Sequence, residues 1–295
     1  MYECCSAKRF FRLVMLDIVI FSIGFVLFFI GKTIVFSADY DSDSSDGIFL
    51  PVIMYHSICN KEKTDYCITP EQVDSDFAYL KSHGYTTVTA QQLADYVYNG
   101  VSLPNNPILI TLDDGFYNNL YYLVPLLEKY DMTAIISIVG SYVDINAEKD
   151  PHVPEYSYLN WDDVNLLIKS NRIEIGNHTY DMHSNTSARK GCSINSGESN
   201  EIYSSLLNED ISLLQSEIHQ NTGTTPFVFA YPFGFLSEES IPILRENGLI
   251  ITLTCREIPN YITHDPECLY GLGRYNRSGL YSTEEFMQKL LKIGE

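Results

Sequence analysis

Basic residues are scarce in this chain of 295. Nineteen Lys and Arg stand against 38 Asp and Glu, giving a formal net charge of −19 and a pI near 4.6. The shortage argues against a nucleic-acid partner, because phosphate backbones are held by Lys and Arg. An acidic surface suits neutral or cationic partners, which concerns steering rather than fold. Metal-type cysteine spacing is missing too: none of the seven cysteines forms a CxxC pair. Cys4 and Cys5 precede the first apolar run, and Cys59, Cys67, Cys192, Cys255 and Cys268 follow it. Five is odd, so at least one stays unpaired if the others bridge. Cys59–Cys67 and Cys255–Cys268 would each close a short loop, and scattered free thiols are the alternative. No internal repeat is visible, and no second boundary divides the chain after its N-terminal region.

Residues 1–36 stand apart. Lys8, Arg9 and Arg12 precede an apolar run over 13–30, broken only by Asp17. At ~1.5 Å per residue the run spans roughly 27 Å, close to a hydrocarbon core. Cations before it and Asp39, Asp41, Asp43 and Asp46 after it predict a single-pass anchor in the cell membrane, N-terminus inside and the bulk of the chain outside. A cleaved signal peptide, and hence secretion, is the alternative. Phe36 is too large for the small-x-small rule before a cut at Ala38, which favours the uncleaved anchor. Residues 37–47 are rich in Asp and Ser and read as a flexible linker. Residues 48–295 form the globular domain.

Within that domain strand and helix patterns alternate. Apolar, β-branched runs predict strands over 49–55, 86–88, 108–112, 132–139, 172–175, 227–231 and 249–253. Helices are predicted over 70–82, 90–98, 118–130, 161–169, 201–220, 238–247 and 283–291. Thr69-Pro70-Glu71-Gln72 supplies a cap, a first-turn proline and a capping-box Gln for the first of these. Ile202, Leu206, Ile211, Leu214 and Ile218 form the apparent stripe of the long helix. Alternation of this kind predicts an α/β fold, a closed or nearly closed (β/α) barrel of about seven parallel strands.

The chain is organised around residues 108–115, ILITLDDG, a buried strand that delivers two carboxylates into a turn. Four chemistry-bearing sites follow predicted strands: His56, Asp113 with Asp114, His178 with His183, and Tyr231-Pro232-Phe233-Gly234. A parallel barrel gathers such sites on one face. Two imidazoles and a carboxylate make an N,N,O set that leaves coordination positions open. His178 and His183 are five residues apart, which on a helix rotates one ring ~140° from the other at ~100° per residue. They share a metal only if the segment is an irregular loop. Taken singly, a DDG is a turn with a cap, a lone His is a structural histidine, and Tyr-Pro-Phe-Gly is a simple turn. Their joint occurrence in this order favours function.

The set MYH, TLDDG, NHTYDMH and AYPFG resembles the NodB-type polysaccharide deacetylases, carbohydrate esterase family 4, over about residues 50–290. The resemblance implies a distorted (β/α) barrel, Asp113 as the base, and Asp114, His178 and His183 as ligands of a divalent metal. Zinc is the first expectation, with cobalt, nickel or iron suited to the same donors. The i, i+5 histidines and the MYH segment resemble the subgroup acting on poly-N-acetylglucosamine, which implies His56 as general acid. Motif three of the family usually starts with an arginine that braces the base, and FVFAYPFG has none. Arg274, in LGRYNR, is the expected substitute, and Tyr231, Phe233 and Gly234 are expected at the substrate or oxyanion. The implied activity is metal-dependent removal of N-acetyl groups from a cell-surface N-acetylglucosamine polymer. A catalytically impaired glycan-binding homologue and an O-acetyl esterase of xylan type are the alternatives.

Overall fold

The structure is a computed structural model that describes residues 47–147 and 152–291. The expected anchor and nearly all of the linker lie outside the described residues. Among the described residues no helix is long and apolar enough to cross a membrane.

Eight strands form one parallel sheet: β1 (Val52–Tyr55), β2 (Thr86–Thr87), β3 (Pro107–Leu112), β4 (Ala134–Ile138), β5 (Ile173–Asn177), β6 (Val228–Ala230), β7 (Ile251–Leu253) and β8 (Tyr275–Asn276). Their order is β7-β6-β5-β4-β3-β1-β8, with β2 paired to the start of β3. The edges approach each other through the last segment. Leu272 bridges Leu253 in parallel, and three residues later Tyr275 pairs with Ile53 of β1. The sheet thus curls into a distorted (β/α) barrel. Strands β1, β3 and β4 are buried along their whole length, as continuous apolar runs in a helix-covered parallel sheet require.

Helices α1 (Pro70–Ser82), α2 (Ala90–Asn99), α3 (Val124–Tyr130), α4 (Gly140–Ala147), α5 (Trp161–Lys169), α6 (Asn200–Thr222), α7 (Ser240–Glu246) and α8 (Thr283–Leu291) fill the connections. Thr69 and Gln72 form the expected capping box of α1, which buries Val73, Phe77 and Leu80.

Several elements depart from the sequence expectation for local reasons. The first strand is split: Ile48–Phe49 pairs antiparallel with Tyr261–Ile262, and β1 starts only after Pro51. A proline has no N–H for a sheet ladder. The predicted helix over 118–130 opens as a π turn, Asn119–Leu123, and becomes α-helical just before Pro125, where no amide can donate back along the helix. The stripe of α6 is rotated. Tyr203, Leu207, Ile211, Leu214 and Ile218 are buried, whereas Ile202 and Leu206 are exposed. Tyr203 wins the inward position because its hydroxyl donates to the buried Cys192 carbonyl at 2.7 Å. Cys59 and Cys67 face each other Sγ to Sγ as thiols, 2.8 Å apart. Cys255 and Cys268, the other expected loop closure, point to different partners: Met54 Sδ and the Thr263 carbonyl.

Candidate active site

The C-terminal ends of β1, β3, β5 and β6 meet on one face, and each delivers a residue singled out in the sequence. Adjacent side chains on a strand diverge, so Asp113 and Asp114 need a break in the backbone to share a site. Asp114 supplies it by taking a left-handed conformation, φ +71°. Asp113 stays in register, its N–H bonded to the Tyr55 carbonyl at 3.2 Å.

Asp114, His178 and His183 converge. Asp114 Oδ1 lies 3.1 Å from His183 Nε2 and 3.6 Å from His178 Nε2. One ligand atom from each residue lies within 4.8 Å of the others. The opposite ring nitrogens are engaged: His178 Nδ1 with the Ala230 carbonyl at 2.7 Å, and His183 Nδ1 with the Tyr142 hydroxyl at 3.2 Å. The carbonyl can only accept, so the His178 proton sits on Nδ1 and its Nε2 lone pair faces the cluster. Two imidazole Nε2 atoms and a carboxylate oxygen on a common centre fit a divalent cation with open positions.

Asp113 and Arg274 form the second unit. Arg274 donates to both carboxylate oxygens, at 2.7 and 2.6 Å, and also to Thr111 Oγ1 and the Thr254 carbonyl. Arg274 is inaccessible to solvent and Asp113 only 2% exposed. Burial alone would raise the Asp113 carboxyl, but the Arg274 guanidinium outweighs it and holds it below the usual carboxylate range. Arg274 reaches this position because the closing segment 272–276 crosses from β7 to β1, directly beside β3.

His56 follows β1. Burial lowers its pKa, against the pull of Asp113 and Asp114 upward. Its Nδ1 is buried with no protein partner, and its ring meets the edge of Tyr66 at a centroid distance of 5.0 Å. Asn119, in the π turn, fixes the backbone here by donating to the His56 carbonyl at 2.9 Å.

The third motif divides. Phe233 has φ +58°, is 41% exposed, and lays its ring 4.6 Å from that of His183. Gly234 has φ +70°, and a Cβ there would lie 2.7 Å from the Cys255 nitrogen, so only glycine fits. Its N–H is bonded to the Tyr231 carbonyl. Tyr231 departs from the expected substrate contact. Its ring is fully buried and its hydroxyl pairs with Ser240 Oγ at 2.7 Å, so only its backbone borders the site.

Sequence reasoning missed Tyr142, Asn119 and Asp210, whose carboxylate accepts from the Tyr180 and Asp181 amides between the two histidines. Asp210 carried a signal: it is an acid placed against the buried face of α6, between Leu207 and Ile211. A cavity of about 350 Å³ at the other end of the sheet, lined by Thr133, Glu174, Phe227 and their neighbours, contains none of these residues.

A family model described as Polysaccharide deacetylase matches residues 100–251, slightly more than half of the chain. His56 and Arg274 lie outside that match. A Staphylococcus aureus (strain MRSA252) protein named poly-beta-1,6-N-acetyl-D-glucosamine N-deacetylase is 25% identical over 209 residues, 68% of this chain and 65% of that protein. An Escherichia coli (strain K12) protein of the same name is 25% identical over 190 residues, 58% of this chain and 28% of that protein. The chain therefore spans less than two thirds of either relative. Among solved structures, a de-N-acetylase from Aggregatibacter actinomycetemcomitans superposes with a TM-score of 0.70 at 22% identity, covering 82% of this chain and all of that one. IcaB from Ammonifex degensii gives 0.66 at 25% identity, covering 83% and 96%.

Proposed function

The chain belongs to the polysaccharide deacetylase family, and from that premise we propose that it hydrolyses N-acetyl groups on an N-acetylglucosamine polymer and releases acetate. The observation that carries this reading is the pairing of two units. Asp114, His178 and His183 share one centre, and beside them stands Asp113, a carboxylate held ionised by Arg274. The poly-N-acetylglucosamine class follows from the names of the S. aureus and E. coli relatives and from the i, i+5 histidines.

Asp114, His178 and His183 would hold a divalent metal, zinc first, which when bound supplies Lewis-acid polarisation of a carbonyl and acidification of a water. Asp113 accepts the proton of the attacking water. Arg274 keeps that carboxylate charged and fixes both its oxygens, so the base is aimed before substrate arrives. The Phe233 amide, at the positive-φ turn beside His183, supplies a backbone donor for the developing oxyanion. His56 donates a proton to the departing amine.

Arg274 also bears on the alternative of an impaired homologue. That reading drew its support from the missing motif-three arginine, and Arg274 fills the same electrostatic need from another strand end. The expected export and membrane tether rest on residues 1–36, and we retain them as a proposal from sequence. Acetate release from N-acetylglucosamine oligomers, with metal content recorded and Asp113→Asn alongside, tests the activity. No acetate from metal-loaded protein would reject it.

A further inference from the structure

Four residues separate the two histidines, and no helix or strand covers the chain between them. The segment 178–183 must satisfy its peptide groups elsewhere. Thr179 takes φ +72° and donates its N–H to Asn177 Oδ1 at 2.8 Å. The next amides all turn toward one side chain. Asp210 Oδ1 accepts from Tyr180 N at 2.7 Å and Oδ2 from Asp181 N at 2.8 Å, and Met182 N–H points to the same carboxylate. The carbonyls turn the other way, to the start of α4: Gly140 N donates to Thr179 O at 3.1 Å and Ser141 N to Tyr180 O at 2.8 Å. Gly140 permits this approach because a Cβ there would lie 2.5 Å from the Tyr180 ring.

We propose that Asp210 is a positioning residue for the metal site: its carboxylate gathers the amides of residues 180–182 and so brings His183 Nε2 back to the centre that His178 and Asp114 define. The inference rests on the metal reading of the site. The bland alternative is a loop anchor that serves stability alone. Geometry favours positioning, since every residue Asp210 holds lies between the two histidines. An amide in its place offers one acceptor oxygen instead of two.

The test is the affinity for Zn²⁺ and Co²⁺, measured by competition with a chromophoric chelator, in wild type, Asp210→Asn, Asp210→Ala and Glu209→Ala. Melting temperatures and the visible spectrum of the Co²⁺ form are recorded for each. Glu209 is the neighbouring exposed acid, bonded to Ser205 and not to the histidine loop. Asp210→Ala is expected to bind about 10–100-fold more weakly, as loss of a partner behind the ligands does. Asp210→Asn should fall between it and wild type, Glu209→Ala should match wild type, and saturating metal should restore most of the lost turnover. Asp210→Asn keeps the side-chain shape and gives the reading even if Asp210→Ala does not fold. Asp210 variants with lower melting temperatures but wild-type metal affinity and Co²⁺ spectrum would overturn the proposal. A wild-type protein that binds neither ion would instead defeat the metal reading.

Discussion

Arg274 and Asp113 are 161 residues apart in the chain and meet, both buried, through two parallel charge-assisted hydrogen bonds of 2.7 and 2.6 Å. A buried bidentate pair of this kind gains little over apolar packing, but breaking one side leaves an uncompensated charge. Its value here is positional: it fixes an ionised carboxylate next to the Asp114, His178 and His183 centre.

Arg274→Met is therefore expected to lose about 3–5 kcal/mol of stability and most of its turnover while binding metal as wild type does. Denaturant titration, acetate release and metal analysis on one preparation check this. Unchanged turnover would remove the bracing role.

Asp113→Asn keeps the shape and removes the base. Turnover should fall by about 10²–10⁴-fold, the usual worth of a positioned proton acceptor, with metal content unaltered. Equal loss of metal and activity would move Asp113 into the ligand set.

His56→Ala separates amide from ester chemistry. An amine must be protonated to leave, whereas an alkoxide leaving group needs this less. The variant should lose far more activity on N-acetylglucosamine oligomers than on an activated acetyl ester, measured as kcat/KM on both. Equal losses would take His56 out of the acid role.

Glu217, on α6, offers a pH prediction away from the Asp114, His178 and His183 cluster. One of its oxygens is buried without a partner, and burial together with the Asp144 carboxylate pushes its pKa up to about 7. A raised pKa means that the folded state holds the proton more tightly than the unfolded chain. The stability it contributes is complete below the unfolded value of about 4.3 and is lost as pH rises through about 7. Glu217→Gln should flatten this fall, matching wild type at pH 4 and exceeding it at pH 8 in chemical denaturation. Parallel curves across that range would contradict the assignment.

Much of this site is written in short stretches of sequence. ILITLDDG announces a buried strand with acids at its end, and the parallel fold then brings His56, Asp113, Asp114 and His178 to one face. What local patterns do not carry is the long-range closure. That Arg274 reaches Asp113 depends on residues 272–276 crossing from β7 to β1. That His183 returns to the centre depends on the left-handed Thr179 and on an acid from α6. Tyr231 follows its strand like the other site residues, yet a hydrogen bond to Ser240 turns it into the core. Leu206 and Leu207 compete equally on apolarity for the inward phase of α6, and Tyr203 decides between them.

The most direct measurement is acetate release from N-acetylglucosamine oligomers by stripped protein reloaded with Zn²⁺, compared with Asp114→Ala, with bound metal counted in each. The account predicts one ion per wild-type chain, acetate that rises with metal occupancy, and neither ion nor acetate in the variant. Acetate production by metal-free protein, or an ion retained at full occupancy without Asp114, would contradict it.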